Sequence, residues 1–144
     1  MLIGIDPLLG PELLCHLSAM GHGDYLVIAD ANFPAGSVAK RLVRSEGVTT
    51  PQMLAAVLSV LPLDTFTNSA VCVMEVVDSP GVLAPITDEF RKIVVARAGQ
   101  KFSKIVGLER FAFYERAHQA YAVIATGERR LYGNIILQKG ILEF

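Results

Sequence analysis

Apolar positions along the chain switch between helical spacing and unbroken runs, and the switches mark the predicted elements. Leu13, Leu14, Leu17 and Met20 recur at helical spacing behind Gly10-Pro11-Glu12, where proline suits a first turn, and Gly21 offers a stop. Tyr25-Leu26-Val27-Ile28-Ala29 is a continuous apolar run ending at Asp30, the pattern of a strand buried on both faces. Phe33-Pro34-Ala35-Gly36 reads as a loop, and residues 41–44 as a short strand before Glu46-Gly47. Thr50-Pro51 caps a second helix in which Leu54, Val57, Leu58 and Leu61 repeat until Pro62 breaks it. Residues 70–77 form a valine-rich strand. Ile86, Phe90, Ile93 and Val94 mark a third helix, closed near Gly99. A strand at 104–108 precedes a helix over 111–120, which flows into a strand at 121–125. After the turn Gly127-Glu128, residues 134–137 make a last strand before Gly140. With no repeat, linker or low-complexity tract, the alternation predicts an α/β fold, one domain over 1–144 with a central β-sheet flanked by helices. The pattern leaves the strand order open.

Composition adds one puzzle. The chain is 52% apolar, yet its longest strictly apolar runs, 53–58 and 120–125, hold only six residues. A membrane-spanning helix needs roughly 20, so no membrane span is expected. The start, Met1-Leu2-Ile3-Gly4-Ile5-Asp6, lacks the basic and apolar regions of a signal peptide. Burial between subunits is the better account of the excess. Fourteen acids against thirteen bases leave a net charge of −1 and no basic stripe, which argues against nucleic acid. Cys15 and Cys72 stand far apart among apolar neighbours, so both are expected as buried free thiols in a reducing, cytoplasmic setting. Neither they nor the three histidines offer the paired spacing of a structural zinc site, and no metal is expected.

Four segments can carry chemistry. In Met20-Gly21-His22-Gly23-Asp24, flanking glycines let the backbone turn tightly and leave an imidazole uncovered, with an ordinary pKa of about 6.5. Spacing alone leans toward a helix stop with a surface histidine. Asp30 closes the first strand, where ligands usually bind in open α/β sheets; a local turn carboxylate is the even alternative. In Glu109-Arg110-Phe111-Ala112-Phe113-Tyr114-Glu115-Arg116 the aromatics fit the core, Arg110 sits at a strand-to-helix junction, and Glu115 and Arg116 read as an exposed helical pair. Tyr132-Gly133-Asn134 places a phenol, open backbone and an amide side by side, or is simply a connection between strands. No nucleophile elbow, P-loop or metal cluster is present in the sequence, and what remains fits neutral acid-base chemistry on a small polar molecule.

Taken in order, these segments resemble a known family. Pro11-Glu12-Leu13-Leu14, the two motifs around His22 and Asp30, Arg110 through Ala117, Ala125-Thr126-Gly127-Glu128 and Leu131 through Leu137 are similar to the L-fucose mutarotase / D-ribose pyranase family over nearly the whole chain. The resemblance implies a ribose-transport-protein-D type fold, a decameric ring, no cofactor, and interconversion of the anomers of L-fucose. It further implies that His22 is the proton donor and that Asp30, Arg110, Tyr132, Gly133 and Asn134 bind the monosaccharide, near a subunit boundary. Arg110 stands where the ribose branch has histidine and so implies the fucose branch, while Asn32 stands where some fucose mutarotases have histidine. The alternative is a non-catalytic monosaccharide-binding module associated with sugar uptake, which would not need His22. A further alternative is a structural oligomer in which His22 is only a turn residue.

Overall fold

The computed structural model describes residues 1–143. Its elements are α1 (Pro11–Ala19), β1 (Tyr25–Ala29), α2 (Ala35–Val38), β2 (Leu42–Ser45), α3 (Thr50–Val57), β3 (Val71–Met74), α4 (Ile86–Ala98), β4 (Val106–Leu108), α5 (Arg110–Gln119), β5 (Ala122–Thr126) and β6 (Ile135–Gln138), with a 3-10 turn at Gln100–Phe102. The strands make one sheet in the order β2-β5-β1-β6-β3-β4. The pairs β1–β5, β2–β5 and β3–β4 are parallel, and β6 lies antiparallel between β1 and β3. All strands except β6 therefore point the same way.

Strand periodicity divides the core into two layers. Leu26, Ile28, Ile124, Ile135 and Leu137 face α1, α3 and α4, meeting Leu13, Leu54 and Phe90. Val27, Ala29, Val123 and Ile136 face α2 and α5, meeting Val38, Phe113 and Ala117. Because both faces are covered, the central strands are apolar at every position rather than at alternate ones. Phe90 and Phe113 are completely buried, one in each layer; burying a side chain of this size contributes about 1.5–3 kcal/mol.

The expected elements are found, with differences. The strand expected over 70–77 covers only Val71–Met74, and α3 is capped by Thr49, whose side chain accepts the Gln52 N–H, rather than by Thr50. The loop at 33–36 contains the first turn of α2. Helix α3 ends at Val57 instead of running on to Leu61. There the Ser59 hydroxyl donates to the Ala56 carbonyl (2.6 Å), and the Ser59 and Val60 amides bond to carbonyls three residues back, which tightens the chain out of the helix before Pro62. The thiol expectation needs one correction: Cys72 is buried but Cys15 is exposed. On α1 the core-facing row is Leu13 and Leu17, four residues apart, and Cys15 lies two positions from each on the opposite side. Arg116 is also corrected. It is half-buried, its guanidinium 5.1 Å over the Tyr25 ring and its Nη1 3.1 Å from Cys72 Sγ. No described helix is long and apolar enough to cross a membrane.

What the topology sets up is a sheet with two chemically distinct ends. Loops following β1, β3 and β5 meet at the carboxyl end, together with residues 132–134 leading into β6. The turn before β1, the stretch leading to β3 and the residues after β6 meet at the other.

Candidate active site

At the carboxyl end Asp30 is buried at the tip of β1. Its backbone N–H donates to Asn134 Oδ1 (2.7 Å), and its carboxylate accepts the Asn32 N–H (3.0 Å). Burial pushes the Asp30 carboxyl above its ordinary range, against the opposing pull of the Asn32, Phe33 and Gly133 amides and the Asn134 side chain. A carboxylate so placed is a better proton acceptor than a solvated one. Gly133 is packed against it: a Cβ there would lie 3.3 Å from Asp30 Cβ and 2.6 Å from Glu128 Cγ, so only glycine fits. Tyr132 takes φ +60°, and its phenolic oxygen accepts the Val77 N–H at 3.1 Å.

Arg110 opens α5 on the same edge. Glu109, the N-cap, accepts the Phe111 and Ala112 amides and so fixes the start of the helix. The Arg110 guanidinium lies 5.8 Å from the Tyr114 ring, which stacks on Phe33 three residues after Asp30. With residues 75–80, Glu109 and Phe111, it lines a cavity of about 260 Å³. Asp30, Arg110, Tyr132, Gly133 and Asn134 thus share one end of the sheet.

His22 is at the other. Gly23, at φ +86°, turns the chain after it, and the Gly23 amide bonds the Lys139 carbonyl (2.8 Å) beyond the end of β6. His22 Nε2 lies 3.1 Å from Asp64 Oδ1, and the imidazole packs at 5.5 Å against Phe66. Its side chain is 46% exposed while Asp64 is buried, so one nitrogen is anchored and the rest of the ring is open to a ligand. Burial opposes ionisation of Asp64, but the Phe66 amide and His22 outweigh it and hold the carboxyl below its ordinary range. The Asp64 carboxylate, 3.1 Å from Nε2, fixes the orientation of the imidazole.

Five residues of β1 separate His22's turn from Asp30, which at a strand's rise is about 17 Å. Within one chain the expected donor and the expected sugar-binding group therefore cannot reach the same small molecule. Among the described residues, no three His, Cys, Asp or Glu side chains are grouped to hold a metal ion.

This division of groups occurs on a chain whose residues 3–142 match the RbsD / FucU transport protein family. The chain belongs to that family. It is 50% identical to the fucose mutarotase of Bos taurus over 99% of this chain and 95% of that protein. It is similar to the solved fucose mutarotase of Streptococcus pneumoniae in complex with L-fucose, at 42% identity and TM-score 0.91, covering 99% of this chain and 100% of that one. Bacillus subtilis RbsD, solved with D-ribose, shares the fold at TM-score 0.73 over 94% of this chain and 95% of that one, with 23% identity. Within the RbsD / FucU family the chain thus stands nearer the fucose mutarotase branch.

Two contributors escaped the sequence reading of this family member. Asp64 lies 42 residues from His22 in a stretch with no motif, and only the paired turns at the end of the sheet bring them together. Glu128 reads as a turn residue, yet it is buried. A lone acid between apolar Leu63 and a polar stretch was the one available signal for Asp64.

Proposed function

We infer that this chain is an isomerase that interconverts the α and β anomers of L-fucose without a cofactor, as a single mutarotase domain over 1–144. The observation that carries the inference is the end-to-end likeness to a fucose mutarotase solved with L-fucose. Ring opening needs a proton delivered to the ring oxygen and one removed from the anomeric hydroxyl. As the C1–O5 bond breaks, the electrons of the O1–H bond form the carbonyl; rotation about C1–C2 and the reverse transfers close the other anomer. His22, backed by Asp64, is the proton donor. Asp30, its carboxyl made more basic by burial, takes the second proton, directly or through water. Arg110, Tyr132, Gly133 and Asn134 hold the hydroxyls. Acid-base help of this kind is worth about 100- to 10,000-fold.

Since His22 and Asp30 occupy opposite ends of β1, this mechanism needs two copies, one offering each end. Head-to-tail contacts of identical subunits close into rings, and a decameric ring in the cytoplasm is the assembly we propose. The apolar surface is distributed to suit it: Phe66 is 70% exposed beside His22, and Phe111 is 75% exposed beside Arg110.

Saturation-transfer NMR on a panel of monosaccharides tests the reading. Exchange between the anomers of L-fucose should be accelerated, and more so than interconversion of D-ribose forms, because Arg110 stands where the ribose branch has histidine and the apolar groups of Phe33-Pro34 and of residues 111–114 are available to the methyl of a 6-deoxy sugar. Binding of L-fucose with no acceleration would instead make the chain a sugar-binding module.

A further inference from the structure

The segment that carries Tyr132, Gly133 and Asn134 has no regular secondary structure, and it holds a bulky aromatic in the left-handed region. Such a backbone is strained and persists only where its surroundings over-determine it. The surroundings converge on one side chain. Glu128, 3% exposed, accepts three N–H groups of Arg130: the backbone amide and Nε at Oε1, and Nη2 at Oε2, each at 3.0 Å. Arg130 Nη1 reaches on to Glu89 Oε2 in α4 (2.6 Å), which ties the loop to the helical layer. On its other side, the Glu128 carbonyl accepts the Ala31 N–H (2.8 Å), the residue after Asp30. Glu128 Cγ is the floor beneath Gly133, whose carbonyl is fixed in turn by the Thr50 hydroxyl (2.7 Å).

We propose that Glu128, clamped by Arg130, is the positioning residue that sets the spacing between Asp30 and residues 132–134 and hence the affinity for the sugar. The functional half of this proposal rests on the reading of that edge as the L-fucose site. Glu128 takes no part in proton transfer, because its oxygens are occupied by Arg130. A bidentate pair fixes geometry in a way a single contact cannot. With Glu128→Gln, the amide NH₂ opposes the guanidinium, the fork opens, and the floor under Gly133 is free to shift.

The test uses the full-length protein in Glu128→Gln, Arg130→Gln and the double variant. Hydrogen–deuterium exchange without ligand should quicken at least tenfold in peptides holding Asp30-Ala31 and residues 129–134, while the β3 and β5 amides stay unchanged. In the anomer-exchange assay, KM for L-fucose should rise at least fivefold with kcat within about twofold of wild type. The double variant should be no worse than the poorer single one, since residues acting as a unit are not additive. A purely structural role would lower the active fraction, and so apparent kcat, and leave KM alone. Unchanged exchange in both peptides, or an unchanged KM, would overturn the proposal. A wild-type protein inert toward L-fucose would defeat the mutarotase reading instead, and the exchange measurement would still decide whether Glu128 holds the loop.

Discussion

His22 and Asp30 are opposite in character as well as in place. The first is half-exposed and backed by an ionised carboxylate; the second is buried and made more basic by its burial. Each is suited to one of the two proton transfers that ring opening requires. Replacing His22 with alanine should slow L-fucose anomer exchange at least tenfold in a protein that stays folded, which NMR exchange rates and circular dichroism would check together. Asp30→Asn and Arg110→Ala should each weaken L-fucose binding, because hydrogen bonds to charged groups are the stronger ones; calorimetric titration with unchanged affinity in both would remove them from the site. Asp64 also makes a pH prediction. Its carboxyl is lower in the folded chain than in the unfolded one, where it is about 4. The folded state therefore gains stability from Asp64 above that pH and loses it as pH falls through the lower folded value. The stability gap between wild type and Asp64→Asn, from denaturant titrations, should be fully present above about pH 5 and shrink as pH falls below about 4.

At the scale of elements, the site depends on helices and strands that end in the right places. Helix α5 presents Arg110 in its first turn and is held to the sheet through Phe113 and Ala117. Phe113→Ala should cost about 3–5 kcal/mol and, by loosening α5, weaken sugar binding too; chemical denaturation and titration of one sample would show both. Why Arg110 was legible and other features were not follows from the same elements. β1, β3 and β5 announce themselves because both faces are buried, leaving continuous apolar runs. α2 does not, since four residues containing Gly36 and Ser37 have little helical preference and are held by tertiary contact. The N-cap of α5 is a glutamate, outside the usual capping residues, so the helix begins one residue earlier than its apolar pattern suggests. Asp30 and Asn134 are expected from position and resemblance, whereas Asp64 meets His22 across 42 residues and Glu128 is buried by packing against Ala31 and Gly133, contacts that no local pattern records.

For the molecule as a whole, the mixed sheet is decisive: with β1 running from the His22 turn to Asp30, the two ends of the chemistry face opposite ways. The 52% apolar composition and the exposed Phe66, Phe111 and Leu131 give copies of the chain a reason to meet end to end. The direct test is complementation. His22→Ala and Asp30→Ala chains are prepared separately, shown by NMR to be slow in L-fucose anomer exchange, then mixed in equal amounts, dissociated and reassembled. Where each site takes His22 from one subunit and Asp30 from its neighbour, about a quarter of the sites in random rings regain both groups. Exchange should then recover to roughly that fraction of the wild-type rate. Mixed assemblies as slow as the two parents would contradict a site shared between the two ends of the sheet.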